Sequence, residues 1–305
     1  MKEEGEFIMN NYVVIDVGGS FIKHGVMNEQ GELIKKDKIK TCGNDIIKLI
    51  DDIKNIVTYY KREFEVKGLA CSFPGAVDSL TGFIGGGSAV ECINGVNIKK
   101  YLEEATNLEV AIENDANCAA LAEGWIGAAK DVDNFVSIVC GTGIGGAIVI
   151  NKKILKGKNY HGGEFGYMLL TDDNNENKLG PLWSEISSTG ALVRRVANIK
   201  GIDVKLLDGK QVFDMEKYDN EVKCEIDKWF RDLAKGIYNI KYILDPEKIL
   251  IGGAISERED FINRLNSYLS ILKNKIATLD IVVEKCMYEN DSNLIGALYN
   301  FLYCK

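Results

Sequence analysis

The sequence has no long apolar run, few histidines and no closely spaced pair of cysteines. No stretch reaches the roughly 18 apolar residues that a membrane-spanning helix requires, so we expect no membrane partner. The N-terminal segment is charged and lacks the apolar core of a signal peptide, which predicts a cytoplasmic location. His24 and His161 are too few for a histidine-rich metal site, and none of the eight cysteines forms a CxxC pair.

Composition excludes two further classes of partner. The 305 residues, 46% hydrophobic and 27% charged, are typical of a globular protein with one large domain or two lobes. The net charge of −8 argues against a nucleic-acid surface and against binding to an anionic membrane. We therefore expect neither a nucleic acid nor a membrane as partner.

A glycine-rich turn between two apolar strands is the most informative local pattern. The apolar run 135–139 leads into the glycine-rich stretch 141–146, and a second apolar run follows at 147–150. This spacing predicts strand, glycine turn, strand. Glycine allows close approach of an anion and a positive φ, and successive N–H groups in such a turn can bind phosphate. A plain hairpin would give the same pattern, so this stretch alone leaves both interpretations open.

A second copy of the pattern favours phosphate binding. Residues 12–17 predict a buried strand that ends in a Gly-Gly-Ser turn, with further strands at 21–27 and 32–40. Asp16 ends the first of these strands, where Mg²⁺ or its water shell would lie beside bound phosphates. The alternative is a carboxylate that only caps the turn.

Two carboxylates stand in motifs that suit a polyol. Asp115 follows a strand predicted at 108–112 and begins a helix predicted to run through Ala129. It could cap the helix, accept a proton from a substrate hydroxyl, or do both. Glu164 lies in the glycine-rich loop 162–167, shortly after the second phosphate turn. This order suggests that a nucleotide and a polyol meet in one cleft.

The remaining periodicities predict alternating helices and strands. We predict helices at 45–64, from Pro181 to Arg195, and at 226–244, 262–272 and 292–303, with strands at 67–72, 248–251 and 281–283. Residues 171–179 are predicted to form an exposed loop and 207–218 to be irregular. The glycine-rich stretch 81–88 is either a ligand-binding loop or a plain flexible one, and the turn at Gly252-Gly253 could hold an adenosine.

Together these motifs resemble the ROK family of sugar kinases and repressors, in the actin/hexokinase-like superfamily. The five matching segments, which span nearly the whole chain, are 16–20 and 141–146 (phosphate), 113–117 (catalytic aspartate), 163–167 (sugar) and 251–253 (adenosine). The resemblance implies an α/β, two-lobed actin/hexokinase-like (ribonuclease H-like) fold, with duplicated β-hairpin phosphate motifs and an interlobe cleft. We predict a smaller lobe of residues 9–115 plus 290–305 and a larger lobe of residues 116–289.

The resemblance also implies ATP and Mg²⁺ as cofactors, a small-molecule sugar as substrate and Asp115 as general base. The implied cofactor-binding residues are Asp16, Gly18, Gly19, Ser20, Lys23, Gly141, Thr142, Gly143, Gly145, Gly252 and Gly253. The implied sugar-binding residues are Ser88, Asn94, Asn114, Asp115, Glu164, Tyr167 and Glu185.

Two departures from the family pattern bear on metal binding. Tyr167 stands where the family usually has a histidine that contacts sugar and ligates a structural zinc. Residues 168–185 contain no cysteine, although the family's cysteine-rich zinc loop belongs there. Because all the zinc ligands are missing together, we predict a member of the family without zinc.

The residues around the motifs narrow the resemblance to one group within the family. The segments VAIENDANCAALAEGWIG, GEFGYM and STGALVRR resemble bacterial β-glucoside kinases, which phosphorylate the 6-hydroxyl of the non-reducing glucose in cellobiose-like disaccharides. Glucokinase and N-acetylmannosamine kinase are alternative activities. A non-catalytic sugar sensor and an ATPase that drives assembly are alternatives of other classes. The first phosphate strand begins at Tyr12, so we expect no DNA-binding domain ahead of it; the family's habit implies a homodimer.

Overall fold

The computed structural model describes residues 10–170, 180–273, 280–288 and 291–304. The loop predicted at 171–179 lies outside these residues. Contacts divide the chain into two units: the described residues within 1–125, 157–161 and 290–305 form the first, and those within 126–156 and 162–289 form the second. We predicted a boundary after residue 115; this division instead places the helix that follows, and the segment 157–161, in the first unit.

The first unit is built on a five-stranded sheet in the order β3-β2-β1-β4-β7. Its strands are β1 (Asn11–Val17), β2 (Phe21–Asn28), β3 (Leu33–Lys40), β4 (Val66–Phe73) and β7 (Val110–Asn114), with a small hairpin of β5 (Phe83–Ile84) and β6 (Val96–Asn97). The first three strands are antiparallel neighbours, and β4 and β7 extend the sheet in parallel. Because β1 is the central strand, every residue from Tyr12 to Val17 is buried, Asp16 included.

Four helices accompany this sheet in the described part of the first unit. They are α1 (Ile46–Tyr60), α2 (Ile98–Thr106), α3 (Asp115–Trp125) and α9 (Ser292–Tyr303). Asp45 caps α1 by accepting hydrogen bonds from the backbone N–H groups of Ile47 and Lys48. The α9 helix packs against the sheet: the Phe301 and Tyr12 rings lie 5.2 Å apart, and Asn300 Nδ2 donates to the Ile112 carbonyl at 3.2 Å.

The second unit repeats the same sheet plan, in the order β10-β9-β8-β11-β12. Its strands are β8 (Phe135–Cys140), β9 (Ile144–Ile150), β10 (Lys153–Ile154), β11 (Lys248–Gly252) and β12 (Val283–Lys285). Again three antiparallel strands are followed by two parallel ones. The predicted repeat of strand, glycine turn, strand, polar turn, strand is thereby confirmed.

The helices of the second unit enclose an aromatic core. They are α4 (Trp183–Ser187), α5 (Thr189–Lys200), α6 (Gly209–Met215), α7 (Asn220–Leu244) and α8 (Phe261–Lys273). Trp183, Trp229 and Phe261 are almost fully buried in that core. Burial of such rings is among the largest contributions that side chains make to folding.

Several predicted boundaries are wrong in detail. The helix predicted to run through Ala129 ends at Trp125, and the one predicted from Pro181 is two helices separated at Ser188, whose backbone is extended. The stretch 207–218, predicted to be irregular, contains α6. Its signal was present: the Asp208 carboxylate accepts the Gln211 N–H, and Gln211 Oε1 accepts the Asp208 N–H, a capping box.

Candidate functional site

The first glycine turn closes the β1–β2 hairpin at residues 18–20. The Gly18 N–H donates to the Phe21 carbonyl at 3.0 Å, and Thr41 Oγ1 donates to the Gly18 carbonyl at 2.6 Å. Gly19 and Ser20 are exposed at the tip. The turn is thus anchored from inside the unit while its tip faces outward.

Asp16 is buried beside this turn, and three side chains surround its carboxylate. Ser72 Oγ and Asn293 Nδ2 donate hydrogen bonds to Oδ1 at 2.9 and 3.0 Å. Lys23 Nζ, from the residue paired with Asp16 across the hairpin, lies 3.6 Å from Oδ2. Three predicted residues of this motif, Asp16, Gly18 and Lys23, therefore lie at one end of one hairpin.

The second glycine turn, between β8 and β9, is fastened in a similar way. The Gly141 N–H donates to the Gly143 carbonyl at 2.9 Å, and the Gly190 N–H donates to the Gly141 carbonyl at 3.0 Å. Ser184 Oγ accepts the Ile144 N–H at 2.9 Å. The starts of α4 and α5 thus hold the turn from one side.

The backbone conformation of this turn does not require glycine, and neighbouring atoms exclude a side chain at Gly146 but not at Gly141 or Gly145. Gly141, Gly143 and Gly145 do not have positive φ, so that part of the sequence argument is wrong. A Cβ on Gly141 or Gly145 would meet no atom within 4 Å, whereas on Gly146 it would lie 2.6 Å from both the Phe165 ring and the Ser137 carbonyl. Gly141 and Gly145 therefore present backbone to an open face of the unit, as close approach to a phosphate requires.

A tight turn packed on β9 fixes the backbone of Glu164. Its φ of −70° and ψ of 59°, with the Phe165 N–H donating to the Gly163 carbonyl at 2.7 Å, define an inverse γ-turn. Gly163 has φ of +90°, and a Cβ there would lie 2.8 Å from Ala147 Cα. The backbone on both sides of Glu164 is consequently fixed to the strand that leaves the second glycine turn.

Tyr167 and Glu185, also predicted to contact sugar, differ in their surroundings. Tyr167 ends the short 3₁₀ helix after Glu164, and its side chain is 66% exposed. Glu185 lies in α4, where its Oε2 accepts the Leu182 N–H at 2.9 Å. The Glu185 carboxylate therefore already stabilises the start of its own helix.

Asp115 is the first residue of α3, and its carboxylate accepts a hydrogen bond from the Asn114 side chain. Asn114 Nδ2 donates to Asp115 Oδ1 at 2.9 Å, and the Ala116 N–H donates to the same oxygen at 2.9 Å. The Asn117 N–H donates to Asn114 Oδ1 at 3.1 Å. The capping role considered for Asp115 is thus carried by Asn114, and the aspartate lies one residue inside the helix.

Ser88 and Asn94 are linked to Asn114 through the loop around Gly75. Asn94 Oδ1 accepts the Ser88 N–H at 3.2 Å, and Asn114 Nδ2 donates to the Gly75 carbonyl at 3.0 Å. A Cβ on Gly75 would lie 3.2 Å from Ser88 Cβ. Four predicted sugar residues, Ser88, Asn94, Asn114 and Asp115, therefore form one connected set in the first unit.

Asp78 ties the glycine-rich stretch before Ser88 together. It accepts hydrogen bonds from Thr81 Oγ1 at 2.7 Å and from the Leu80 N–H at 3.1 Å. Burial acts to raise the pKa of Asp78, but hydrogen bonds from Thr81, Tyr160 and the backbone lower it overall. A charged Asp78 therefore cross-links this loop to the segment 157–161.

Gly252 and Gly253 end β11 directly beside the second glycine turn. Gly253 has φ of +95°, and a Cβ there would overlap the Cys140 carbonyl. Burial raises the pKa of the Cys140 thiol to about 11, so this thiol stays neutral. The predicted adenosine residues and the second phosphate turn thus adjoin within one unit.

A magnesium ion held with nucleotide phosphates needs few protein ligands. Within the residues that the structure describes, no three His, Cys, Asp or Glu side chains are grouped to hold a metal ion. Mg²⁺ usually keeps several waters and takes one or two carboxylates plus phosphate oxygens. The buried Asp16 carboxylate can serve as one such ligand, with two neutral donors on Oδ1 and Lys23 Nζ 3.6 Å from Oδ2.

Three supporting residues went unnoticed in the sequence: Ser72, Ser184 and Asn293. Each acts through a contact with a motif that is distant along the chain. A serine or asparagine at a strand or helix end carries no distinctive pattern, so sequence alone offered little signal.

Among the described ranges, no helix is long and apolar enough to cross a membrane.

Comparisons with known proteins agree across nearly the whole chain. The model of the ROK family matches residues 12–302. A β-glucoside kinase of Listeria monocytogenes is 33% identical over 288 residues, covering 94% of this chain and 96% of the relative. A glucokinase of Halalkalibacterium halodurans is 33% identical over 279 residues, covering 82% of each. The crystal structure of a ROK family protein from Streptococcus pneumoniae TIGR4 in complex with sucrose superposes with a TM-score of 0.85 at 35% identity, covering 96% of this chain and 98% of that one.

Proposed function

The chain belongs to the ROK family, and from this we propose that it is an ATP-dependent kinase that phosphorylates the 6-hydroxyl of a glucose-type sugar. A β-glucoside such as cellobiose is the proposed acceptor, with Asp115 as general base. The observation that carries the proposal is the connected set of Ser88, Asn94, Asn114 and Asp115, which offers carboxylate, amide and hydroxyl groups to adjacent sugar hydroxyls. The predicted actin/hexokinase-like fold class is confirmed by the solved relative.

The two glycine turns are the proposed phosphate sites. Gly19 and Ser20 are exposed, and the space around Gly141 and Gly145 is open, so a phosphate can approach the backbone of both turns. The Gly141 N–H itself is donated to the Gly143 carbonyl, which leaves other N–H groups of the turns for phosphate oxygens. Bound Mg²⁺ would neutralise charge on the phosphates, and Asp16 would hold it directly or through water. Thr142, Gly143 and Lys23 complete this proposed set, with Gly252 and Gly253 at the adenosine.

Asp115 is suited to orient and deprotonate a hydroxyl. One of its oxygens accepts hydrogen bonds from Asn114 and from the Ala116 N–H, which fix the plane of the carboxylate. The N-terminal end of α3 favours negative charge at this position. Phosphoryl transfer passes through a loose transition state, so correct placement of the acceptor oxygen matters more than strong basicity.

Glu164 and Tyr167 are also proposed to contact the sugar, and Glu185 to reach it as well. A carboxylate can accept hydrogen bonds from two neighbouring hydroxyls with fixed geometry. The inverse γ-turn presents Glu164 on a rigid backbone, which lowers the entropy cost of such recognition. Tyr167 offers an exposed ring and hydroxyl.

The choice of β-glucoside over glucose rests on the comparisons. The β-glucoside kinase and the glucokinase are equally identical to this chain, but the former match covers more of both sequences. Glucokinase is therefore the second candidate. From the family resemblance we further propose a homodimer, which sedimentation of the purified chain would check. From the charged N-terminal segment we propose a cytoplasmic location.

The decisive experiment is sugar-dependent release of ADP from Mg-ATP by the purified chain, with cellobiose, an aryl β-glucoside, glucose and N-acetylmannosamine as acceptors. Fastest turnover on the β-glucosides supports the proposal. Preference for a monosaccharide keeps the kinase but overturns the acceptor. No stimulation by any of these sugars, with ATP still bound, would favour a sugar sensor and overturn the proposed enzyme.

A further inference from the structure

Asn293 donates a hydrogen bond to the buried carboxylate of Asp16, which lies in β1 beside the first glycine turn. We propose that Asn293 is a positioning residue, which holds Asp16 in the orientation that magnesium-bound nucleotide requires. The inference rests on the proposed function, because it assigns Asp16 to the nucleotide site. It adds a residue that none of the five family motifs contains.

The position of Asn293 is set by the docking of α9. Asp291, just before the helix, pairs with Lys36 Nζ of β3 at 2.8 Å. Farther along, Asn300 and Phe301 attach the helix to the sheet, as described above. The helix is therefore held near both of its ends, and Asn293, in its first turn, is delivered to Asp16 from a fixed support.

The two donors act on the same oxygen. Ser72 Oγ and Asn293 Nδ2 both reach Asp16 Oδ1, which opposes rotation of the carboxylate and turns Oδ2 toward Lys23. Both donors are neutral, so they orient the group without cancelling its charge.

Orientation of this kind has a measurable effect on metal binding. Removing a partner that orients a metal-binding side chain typically weakens metal affinity by about 10- to 100-fold. Binding of ATP without the metal does not depend on that orientation. The two forms of the nucleotide should therefore respond differently to the loss of the Asn293 amide.

Calorimetric titration of the full chain with Mg-ATP, and with ATP in excess EDTA, tests this without catalysis. For Asn293→Ala we expect the Kd of Mg-ATP to rise by about 10-fold or more, and the Kd of metal-free ATP to change by less than about twofold. Ser72→Ala, which removes the other donor, should also raise the ratio of the Kd of Mg-ATP to the Kd of metal-free ATP. It also serves as the test if Asn293→Ala does not fold.

Asn300→Ala is the matched control, because it removes a buried asparagine hydrogen bond from the same helix without touching Asp16. It should lower the melting temperature and leave the ratio of the two Kd values unchanged. An unchanged ratio in Asn293→Ala, or equal rises in both Kd values, overturns the inference. If wild-type chain is a magnesium-dependent sugar kinase in that case, only the role of Asn293 fails; if wild type phosphorylates no sugar, the proposed function fails as well.

Discussion

Asn114 joins Asp115 to the loop around Gly75, because its side-chain amide lies 2.9 Å from the carboxylate of one and 3.0 Å from the carbonyl of the other. The same side chain accepts the Asn117 N–H and so caps α3. A single asparagine thus fixes the helix start, the adjacent loop and the proposed base. Any change at Asn114 would disturb all three, so Asp115 is the better residue with which to test the chemistry.

Asp115→Asn should reduce turnover by about 100-fold or more, the usual range for loss of a general base. The amide has nearly the same shape, so the start of α3 and sugar binding should be largely retained. Turnover is measured by sugar-dependent ADP release and binding by calorimetry. Asp51→Asn, at an exposed position of α1, is the control and should keep wild-type turnover. Near-wild-type turnover of Asp115→Asn would show that Asp115 is not the general base.

Gly145→Ala and Gly146→Ala should affect different properties although the residues are neighbours. The first should weaken ATP binding, and the second should lower the stability of the fold. The first Cβ meets nothing within 4 Å, so the free energy of unfolding should change by less than about 1 kcal/mol. It projects into the open face, however, and should weaken ATP binding by about tenfold. The second Cβ meets the Phe165 ring and should cost about 1–3 kcal/mol of stability. Denaturant unfolding and nucleotide titration separate the effects; unchanged ATP affinity in Gly145→Ala would count against the phosphate site.

Glu164→Gln should raise the KM for sugar by roughly 10- to 100-fold, because hydrogen bonds to a charged group contribute about 1.5–3 kcal/mol. Glu185→Gln is the matched comparison. Its side chain already accepts the Leu182 N–H, a bond that the amide oxygen can keep, so we expect a smaller rise. Initial rates over a range of sugar concentrations give both values, and an unchanged KM in Glu164→Gln would count against its contact with the sugar.

His24 should make the protein less stable in mild acid. It is buried with Nδ1 2.9 Å from the Tyr60 hydroxyl, and burial lowers its pKa from the ordinary 6.5 although the Asp37 carboxylate opposes this. As the pH falls below 6.5 the unfolded chain therefore takes up the proton first, and the free energy of unfolding decreases, by at most about 1.4 kcal/mol per pH unit.

His24→Gln should remove that part of the acid sensitivity, as followed by denaturant unfolding between pH 7 and about pH 5. His161→Gln, which replaces the chain's other histidine at an exposed position, is the control and should retain it. Parallel pH curves for wild type and His24→Gln would show that His24 is not responsible.

The two hairpins could be predicted from the sequence because the patterns that indicate them are local. An apolar β-branched run followed by glycines, as at residues 135–146, has few structural solutions, and both copies were found. The ROK family and the α/β fold class followed from these motifs and are confirmed. Helix ends were less certain, because the apolar stripe of α3 continues to Ala129 although the helix stops at Trp125.

Contacts between distant segments could not be predicted in the same way. Asn293 and Asp16 are 277 positions apart, and neither residue type marks the other as its partner. Likewise, the choice of Asn114 over Asp115 as the cap of α3 depends on a one-residue difference in where the helix begins. Such details depend on packing, which periodicity does not encode.

The attachment of α9 to the first unit has a consequence for the order of biosynthesis. The ribosome makes residues 10–125 first, but the helix that covers their sheet and supplies Asn293 comes last, after the whole second unit. Domains ordinarily fold as they emerge. Here the second unit can complete its core first, whereas the nascent first unit must wait, without α9 against its sheet, until that helix has been synthesised.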